Sequence, residues 1–235
     1  VGVARYLPSV AGLLLSKELQ YLERVVTNPE YPFVVILGGA KILDKIVVVE
    51  RLIEQADCVL VGGAMANTFM KASGIEVSES LVENGAIGIA AQLLERAGDK
   101  LILPKDVIVA DDMKVGAKKR CITVEHGVDV GYRIVDVGPE TVKLFEKYIS
   151  DAKMILWNGP MGAFEISDFA CGTNDIARSV AYSEAVSIVG GGDSASAVHQ
   201  SGYASRISHV STGGGAALEF LSGNILPAVE VLDQM

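Results

Sequence analysis

Short apolar runs recur along the chain, each followed by glycines and then by a stretch whose apolar positions have helical spacing. Residues 33–37 (FVVIL) lead into Gly38-Gly39-Ala40-Lys41 and KILDKIVVVERLIEQA. Residues 58–61 lead into Gly62-Gly63 and a helix over 65–72, and residues 154–157 lead into NGPMG. Residues 185–189 precede Gly190-Gly191-Gly192-Asp193 and SASAVHQ, and residues 207–210 precede Ser211-Thr212-Gly213-Gly214-Gly215 and AALEFL. Continuous rather than alternating apolar runs are strands buried on both faces. Strand, glycine turn and helix in alternation predict βαβ units. The expected fold is therefore α/β, a doubly wound, Rossmann-like parallel sheet with helices on both faces. Residues 101–103 and 107–110 read as further short strands.

Three more helices follow from spacing and end signals. Residues 13–26 form one that stops before Asn28-Pro29 and is expected to be peripheral. Residues 83–96 form another, closed by Gly98. A third opens at Gly138 with Pro139 in the first helical position and runs through Tyr148. No low-complexity linker interrupts 29–235, so that stretch reads as one domain.

Half of the 235 residues are hydrophobic, and 20 basic against 29 acidic residues leave a net charge of −9. An acidic chain repels phosphodiester backbones and anionic lipid, which disfavours nucleic acid and membrane as partners. The Lys118-Lys119-Arg120 run reads as a solvated loop. No apolar run reaches the roughly 18 residues that a membrane span needs. The apolar start, residues 1–15, lacks a basic leader and a small-residue cleavage site, so no signal peptide is expected. Cys58, Cys121 and Cys171 lie far apart without a CxxC, which suits a reducing cytoplasm and disfavours zinc or a disulfide framework.

In open parallel sheets ligands bind where the strands' carboxyl ends feed helix N-termini. There, glycine lets the backbone approach an anion closely. A single Gly-Gly turn is only a tight turn, but the recurrence of such turns points to an anion-binding rim. No GxxxxGK[ST] is present, nor a placed GxGxxG with its acidic partner. GGAKILDK places Lys41 and Lys45 four residues apart, hence on one face of the predicted helix near its start. Lysines there oppose the helix dipole unless an anion compensates, and the alternative is two solvent-facing side chains. Asp193 caps its helix or holds Mg²⁺ bridging nucleotide oxygens. Glu165 accepts ribose hydroxyls or is a surface acid. The histidines join no nucleophile signature, and Ser194, Ser196 and Ser211 lack a GxSxG elbow. Trp157, at a strand end, reads as core.

Together, GGAKILDKI (38–46), VLVGGAMANTFMKASG (59–74), LWNGPMGAFE (156–165), GGGDSASAV (190–198) and STGGGAALEFLSGNILP (211–227) resemble the nucleotide-domain signatures of phosphoglycerate kinases, in order and with bacterial detail. The start, VGVARYLPSVAGLLLSKEL, is similar to that family's crossing into its interdomain helix. The resemblance implies residues 1–28 as crossing and hinge helix, and residues 29–235 as the nucleotide-binding domain. It also implies that the last ten or so residues return toward an N-terminal domain that this sequence lacks.

The implied reaction is phosphoryl transfer between 1,3-bisphosphoglycerate and Mg-ADP, giving 3-phosphoglycerate and Mg-ATP in a cytoplasmic monomer. The implied roles are Lys41 and Lys45 on the phosphates, Lys45 more on the transferring group, with amides around Gly213, Gly214 and Gly215 stabilising its charge. Asp193 would ligate Mg²⁺ through the nucleotide, and Ser194 would support the phosphates where Thr is usual. Gly39, Ala40, Gly62 and Gly63 would line the adenine side, Asn158, Gly159 and Gly192 the phosphate side, and Glu165 the ribose. Ala64 and Ala163 depart from the usual Gly and Val, and no role carries over within 114–135. Such a half enzyme is expected to bind ADP or ATP and to turn over negligibly alone. The alternatives are a stand-alone adenine-nucleotide-binding module and a Rossmann-like oxidoreductase.

Overall fold

The computed structural model describes residues 1–232, the side chain of Asp44 excepted. Residues 233–235, within the stretch expected to return toward a second domain, lie outside the described residues. The main sheet has six strands: β1 (Phe33–Leu37), β2 (Cys58–Val61), β3 (Leu101–Ile102), β7 (Met154–Asn158), β8 (Val186–Gly190) and β9 (His209–Val210). Their order is β3-β2-β1-β7-β8-β9 and every pairing is parallel. Counting parallel strands alone, this is the 3-2-1-4-5-6 order of a doubly wound sheet, with its switch point between β1 and β7.

The side-chain period of two divides β1 between two cores. Phe33, Val35 and Leu37 face one core with α1 (Leu13–Thr27), α2 (Ile46–Gln55), α3 (Gly63–Ala72), α4 (Ile87–Ala97) and α8 (Gly214–Leu221). Val34 and Ile36 face the other, with α5 (Pro139–Asp151), α6 (Cys171–Tyr182) and α7 (Gly192–Gln200). Both faces of β1 are buried along its whole length, which explains the unbroken apolar run. A fully buried Leu, Ile or Phe contributes about 1.5–3 kcal/mol, so Phe33, Phe69, Phe145 and Trp157 hold the helices firmly on the sheet. A short α9 (Pro227–Glu230) follows α8.

Three expectations change. Residues 107–110 form a strand, as expected, but it lies outside the parallel sheet. They belong to β4 (Asp106–Ala110), the centre of a separate antiparallel sheet, β5-β4-β6, with β5 (Lys119–Thr123) and β6 (Arg133–Val137). β5 is an exposed edge bearing Lys119 and Arg120, so it carries no apolar run to read. The helix beginning at Lys41 is the second correction. A 3-10 turn, Leu43–Lys45, precedes α2, and Lys45 is the latter's N-cap. The cause is long-range: Glu83 Oε2 accepts the amides of both Ile42 and Leu43, while the Ile42 side chain is buried in the first core. Third, α1 is not peripheral, since Leu22 and Val25 are buried and Glu18 joins a polar network described below.

Candidate functional site

The turns leaving β1 and β7 interlock at the switch point. Gly38 N donates to Asn158 O at 2.9 Å and Gly39 N donates to Pro160 O at 3.0 Å. A Cβ on Gly159, whose φ is +101°, would lie 2.2 Å from the carbonyl carbon and oxygen of Gly38. A Cβ on Gly38 would lie 2.1 Å from Pro160 O. Only glycine fits at either side of this crossing. Beneath it Trp157 is fully buried and its Nε1 donates to Gly159 O at 2.7 Å, so the indole packs the core and fixes the turn. Ser194 Oγ accepts Gly159 N at 2.5 Å and Asn158 Nδ2 donates to Gly190 O at 2.8 Å, which ties in β8 and α7.

Two adjoining cavities open on this rim. The first, about 470 Å³, has apolar walls from Leu81, Met113, Ile134, Val135 and Met161, with Ala64 and Ala163 also in its lining. Gly39, Ala40 and Gly63 reach it, Glu165 stands exposed at its edge, and Arg133 pairs with Glu79 at 2.6 Å beside it. The second, about 390 Å³, is lined by Lys41, Lys45, Asn158, Gly159, Gly192, Ser194, Gly214 and Gly215. Gly39, Ala40 and Asp193 line both cavities, which makes them one elongated cleft.

The two ends of the cleft differ in chemistry. An apolar slot suits a flat ring system. At the other end α7 and α8 begin at Gly192 and Gly214, and no side chain caps either helix. Their first amides and helix dipoles therefore favour an anion there, alongside two lysines. The N-cap of α7 is Gly191, so exposed Asp193 lies in the first turn without capping it. The described residues contain no cluster of three or more His, Cys, Asp or Glu able to cage a metal. Asp193 alone fits an ion that shares its coordination with phosphate oxygens, because Mg²⁺ commonly takes one or two protein carboxylates plus phosphates.

Of the site residues expected from sequence, Gly62 and Gly213 fall outside both linings. Gly62 lies against Met161, where a Cβ would meet Sδ at 2.5 Å, and Gly213 N donates to Ser211 Oγ at 3.2 Å. Sequence reasoning missed the wall made by Arg133, Ile134, Val135 and Asp136. The signal was present, since RIVDV runs into Gly138-Pro139 as other strands run into their turns. Asp136 is buried at 2% exposure, and its carboxylate accepts Gly172 N at 2.7 Å and Val137 N at 2.9 Å. Burial pushes its pKa up to about 7, against the opposing pull of those two amides.

A second buried network lies behind the anion end. Glu18 Oε2 on α1 is 2.9 Å from His209 Nε2 and accepts Ser211 Oγ at 2.8 Å. Glu18 Oε1 accepts Thr212 N at 2.7 Å and Thr212 Oγ1 at 2.9 Å, and Tyr21 stacks on the His209 ring at 4.6 Å. The turn carrying Gly214 and Gly215 is thus pinned to the N-terminal helix. His209 is buried in this network, while His126 and His199 are exposed.

The phosphoglycerate kinase family model matches residues 1–224. The phosphoglycerate kinase of Rubrobacter xylanophilus is 53% identical over 234 residues, covering 100% of this chain and 59% of its own length. That of Pseudothermotoga lettingae is 49% identical over 232 residues, covering 97% of this chain and 58% of its own. Among solved structures, phosphoglycerate kinase from Coxiella burnetii superimposes with a TM-score of 0.92 at 44% identity, over 98% of this chain and 60% of that one. The enzyme from Pyrococcus horikoshii gives 0.88 at 33% identity, over 99% and 59%. The chain thus spans about three-fifths of the length of the relatives it matches.

Proposed function

Since the chain belongs to the phosphoglycerate kinase family, we propose that it is the nucleotide-binding half of such an enzyme, serving phosphoryl transfer between 1,3-bisphosphoglycerate and ADP in the cytoplasm. The observation that carries this reading is the single cleft at the switch point, apolar at one end and rich in lysine and amides at the other. Adenine would enter the apolar cavity past Gly39, Ala40 and Gly63, with Glu165 accepting the ribose hydroxyls. Residues 1–28 would lead in from the phosphoglycerate-binding domain as crossing and hinge helix, and residues 29–235 would form the nucleotide domain.

The chemistry asked of this chain is positioning and charge neutralisation, since phosphoryl transfer needs no nucleophile from the protein. Lys41 and Lys45 would hold the phosphate oxygens, and Lys45 would also follow the transferring group. The amides at the start of α7 and α8, around Gly192, Gly214 and Gly215, would face the charge that spreads over the equatorial oxygens. Ser194 and Asn158, expected on the phosphates, would instead keep the Gly159 turn in register with β8 and α7, since both side chains are buried and bonded to Gly159 N and Gly190 O. Asp193 would ligate Mg²⁺, which when bound with the nucleotide neutralises phosphate charge. The apolar walls would exclude water from the base and fix its orientation.

The test is reconstitution. The chain alone should form negligible ATP from 1,3-bisphosphoglycerate and Mg-ADP. Addition of the separately produced N-terminal portion of the Rubrobacter enzyme should restore ATP formation. ADP binding without any restored turnover would favour a non-catalytic nucleotide module, and preference for NAD over ADP would favour an oxidoreductase.

A further inference from the structure

Helix α6 starts directly behind the apolar cavity, and its own N-cap, Ala170, makes no side-chain capping bond. The cap comes instead from another element. Asp136 on β6 accepts Gly172 N at 2.7 Å through Oδ2. The same carboxyl is packed against two glycines. A Cβ on Gly162 would lie 2.4 Å from Oδ1, and one on Gly172 would lie 2.5 Å from it. Gly162 belongs to residues 160–165, the loop that forms one wall of the cavity and carries Glu165. That loop is tied down on either side of Gly162, by Met161 N to Thr173 Oγ1 at 3.1 Å and Ala163 N to Val135 O at 2.8 Å. Asp136 therefore sits where strand, loop and helix meet, and it lines the cavity itself.

A neighbouring aspartate makes the same kind of capping contacts away from the cleft. Asp106 on β4 caps α5 in the same way, accepting Glu140 N at 3.1 Å and Thr141 N at 2.7 Å, with Gly138 packed against its carboxyl. Asp106 lines neither cavity of the cleft and also accepts the Thr141 hydroxyl at 2.7 Å. Asp136 has its two amide donors and is one of the residues lining the cavity.

We propose that Asp136 is a positioning residue for the base end of the cleft, holding the 160–165 loop and the start of α6 in the arrangement that a purine ring system enters. This rests on the nucleotide reading above. It assigns Asp136 a part in affinity for the base and none in holding the phosphates. A ring seated in the cavity displaces the solvent that fills it and lowers the polarisability around the already buried carboxyl, so binding favours its neutral form and draws a proton toward it. Lys119 of β5 favours the ionised form and Asp175 of α6 opposes it. Arg133, on the same strand, and Glu165, on the loop, line the same cavity. ADP should consequently bind more weakly as pH rises from 6 to 8, beyond any change shown by a variant lacking the carboxyl.

The experiment titrates the wild-type chain, D136N, D106N and G162A with ADP and with inorganic pyrophosphate at several pH values. D136N and G162A are expected to lose several-fold in ADP affinity while keeping wild-type affinity for pyrophosphate. D136N should also lose the excess pH slope, and D106N should keep the wild-type ratio of the two affinities. Equal ADP affinity in D136N and wild type at every pH would overturn the proposal. So would a parallel loss of both ligands in D136N and G162A, or an unchanged pH slope. A wild-type chain that binds no ADP would instead refute the nucleotide reading on which the proposal rests.

Discussion

Replacing Glu18 with alanine should cost this fold several kcal/mol. Glu18 is 7% exposed and its carboxylate has four polar partners: the His209 imidazole, the Ser211 and Thr212 hydroxyls and the Thr212 amide. Each buried donor left without an acceptor costs about 1–3 kcal/mol. Hydroxyls can turn toward other acceptors, whereas the Thr212 amide and the imidazole under Tyr21 are held in place. Breaking a buried network by deleting its acidic member costs about 3–5 kcal/mol, and this range applies to Glu18→Ala. Glu18→Gln exchanges one acceptor oxygen for a donor, so it loses two of the four contacts and about 2 kcal/mol at about 1 kcal/mol per hydrogen bond. Urea unfolding followed by Trp157 fluorescence measures both. A loss below about 1 kcal/mol for the alanine variant would refute the reasoning, since a surface substitution costs no more than that.

The pH dependence supplies an independent check on the same residue. Burial pushes the Glu18 carboxyl up, but His209, the Thr212 amide and the Ser211 and Thr212 hydroxyls together outweigh it and hold the group below its usual 4.5. A carboxylate with a lowered folded-state pKa contributes stability that is present above the unfolded value and lost as pH falls through the folded one. The gap between wild type and Glu18→Gln should therefore hold from pH 7 to 5 and narrow below about 4.5. A gap that widened on acidification would contradict this sign.

Three further outcomes follow from the same geometry. Gly159→Ala combines a positive φ with a Cβ 2.2 Å from Gly38, and strain plus overpacking should cost about 2–5 kcal/mol; an unchanged melting temperature would count against the interlocked turns. Asp193→Ala should weaken ADP binding with Mg²⁺ present and leave it unchanged in EDTA; equal weakening in both would reduce Asp193 to a residue of the α7 first turn. Among the thiols, exposed Cys171 should react first with a disulfide reagent at pH 8. Cys58, pushed up to about 12 by burial and by Asp57, should react only after unfolding.

Much of this was legible in the amino-acid sequence, for identifiable reasons. The run at 33–37 coincides with β1 and that at 58–61 with β2, because a central parallel strand is buried on both faces and shows no alternation. Lys41, Lys45, Asn158, Asp193 and Gly214 share one cavity because in a doubly wound sheet the strands' carboxyl ends converge. What escaped depends on partners distant in sequence. Glu83 pulls the Ile42 and Leu43 amides out of helical register from about 40 residues away. Glu18 reaches His209 across 191 positions. The antiparallel sheet escaped because β5 is a charged edge, and with it went the cavity wall at 133–136.

On this reading the two ends of the cleft would bind one nucleotide, base at 133–136 and phosphates at Lys41 and Lys45. Calorimetric titration of the chain with Mg-ADP tests it most directly, beside Lys45→Met. Saturable binding at one site is expected, weakened about tenfold or more by the substitution, as loss of a charged hydrogen bond of about 1.5–3 kcal/mol requires. Absence of saturable binding, or equal affinity in the Lys45→Met chain, would contradict the account.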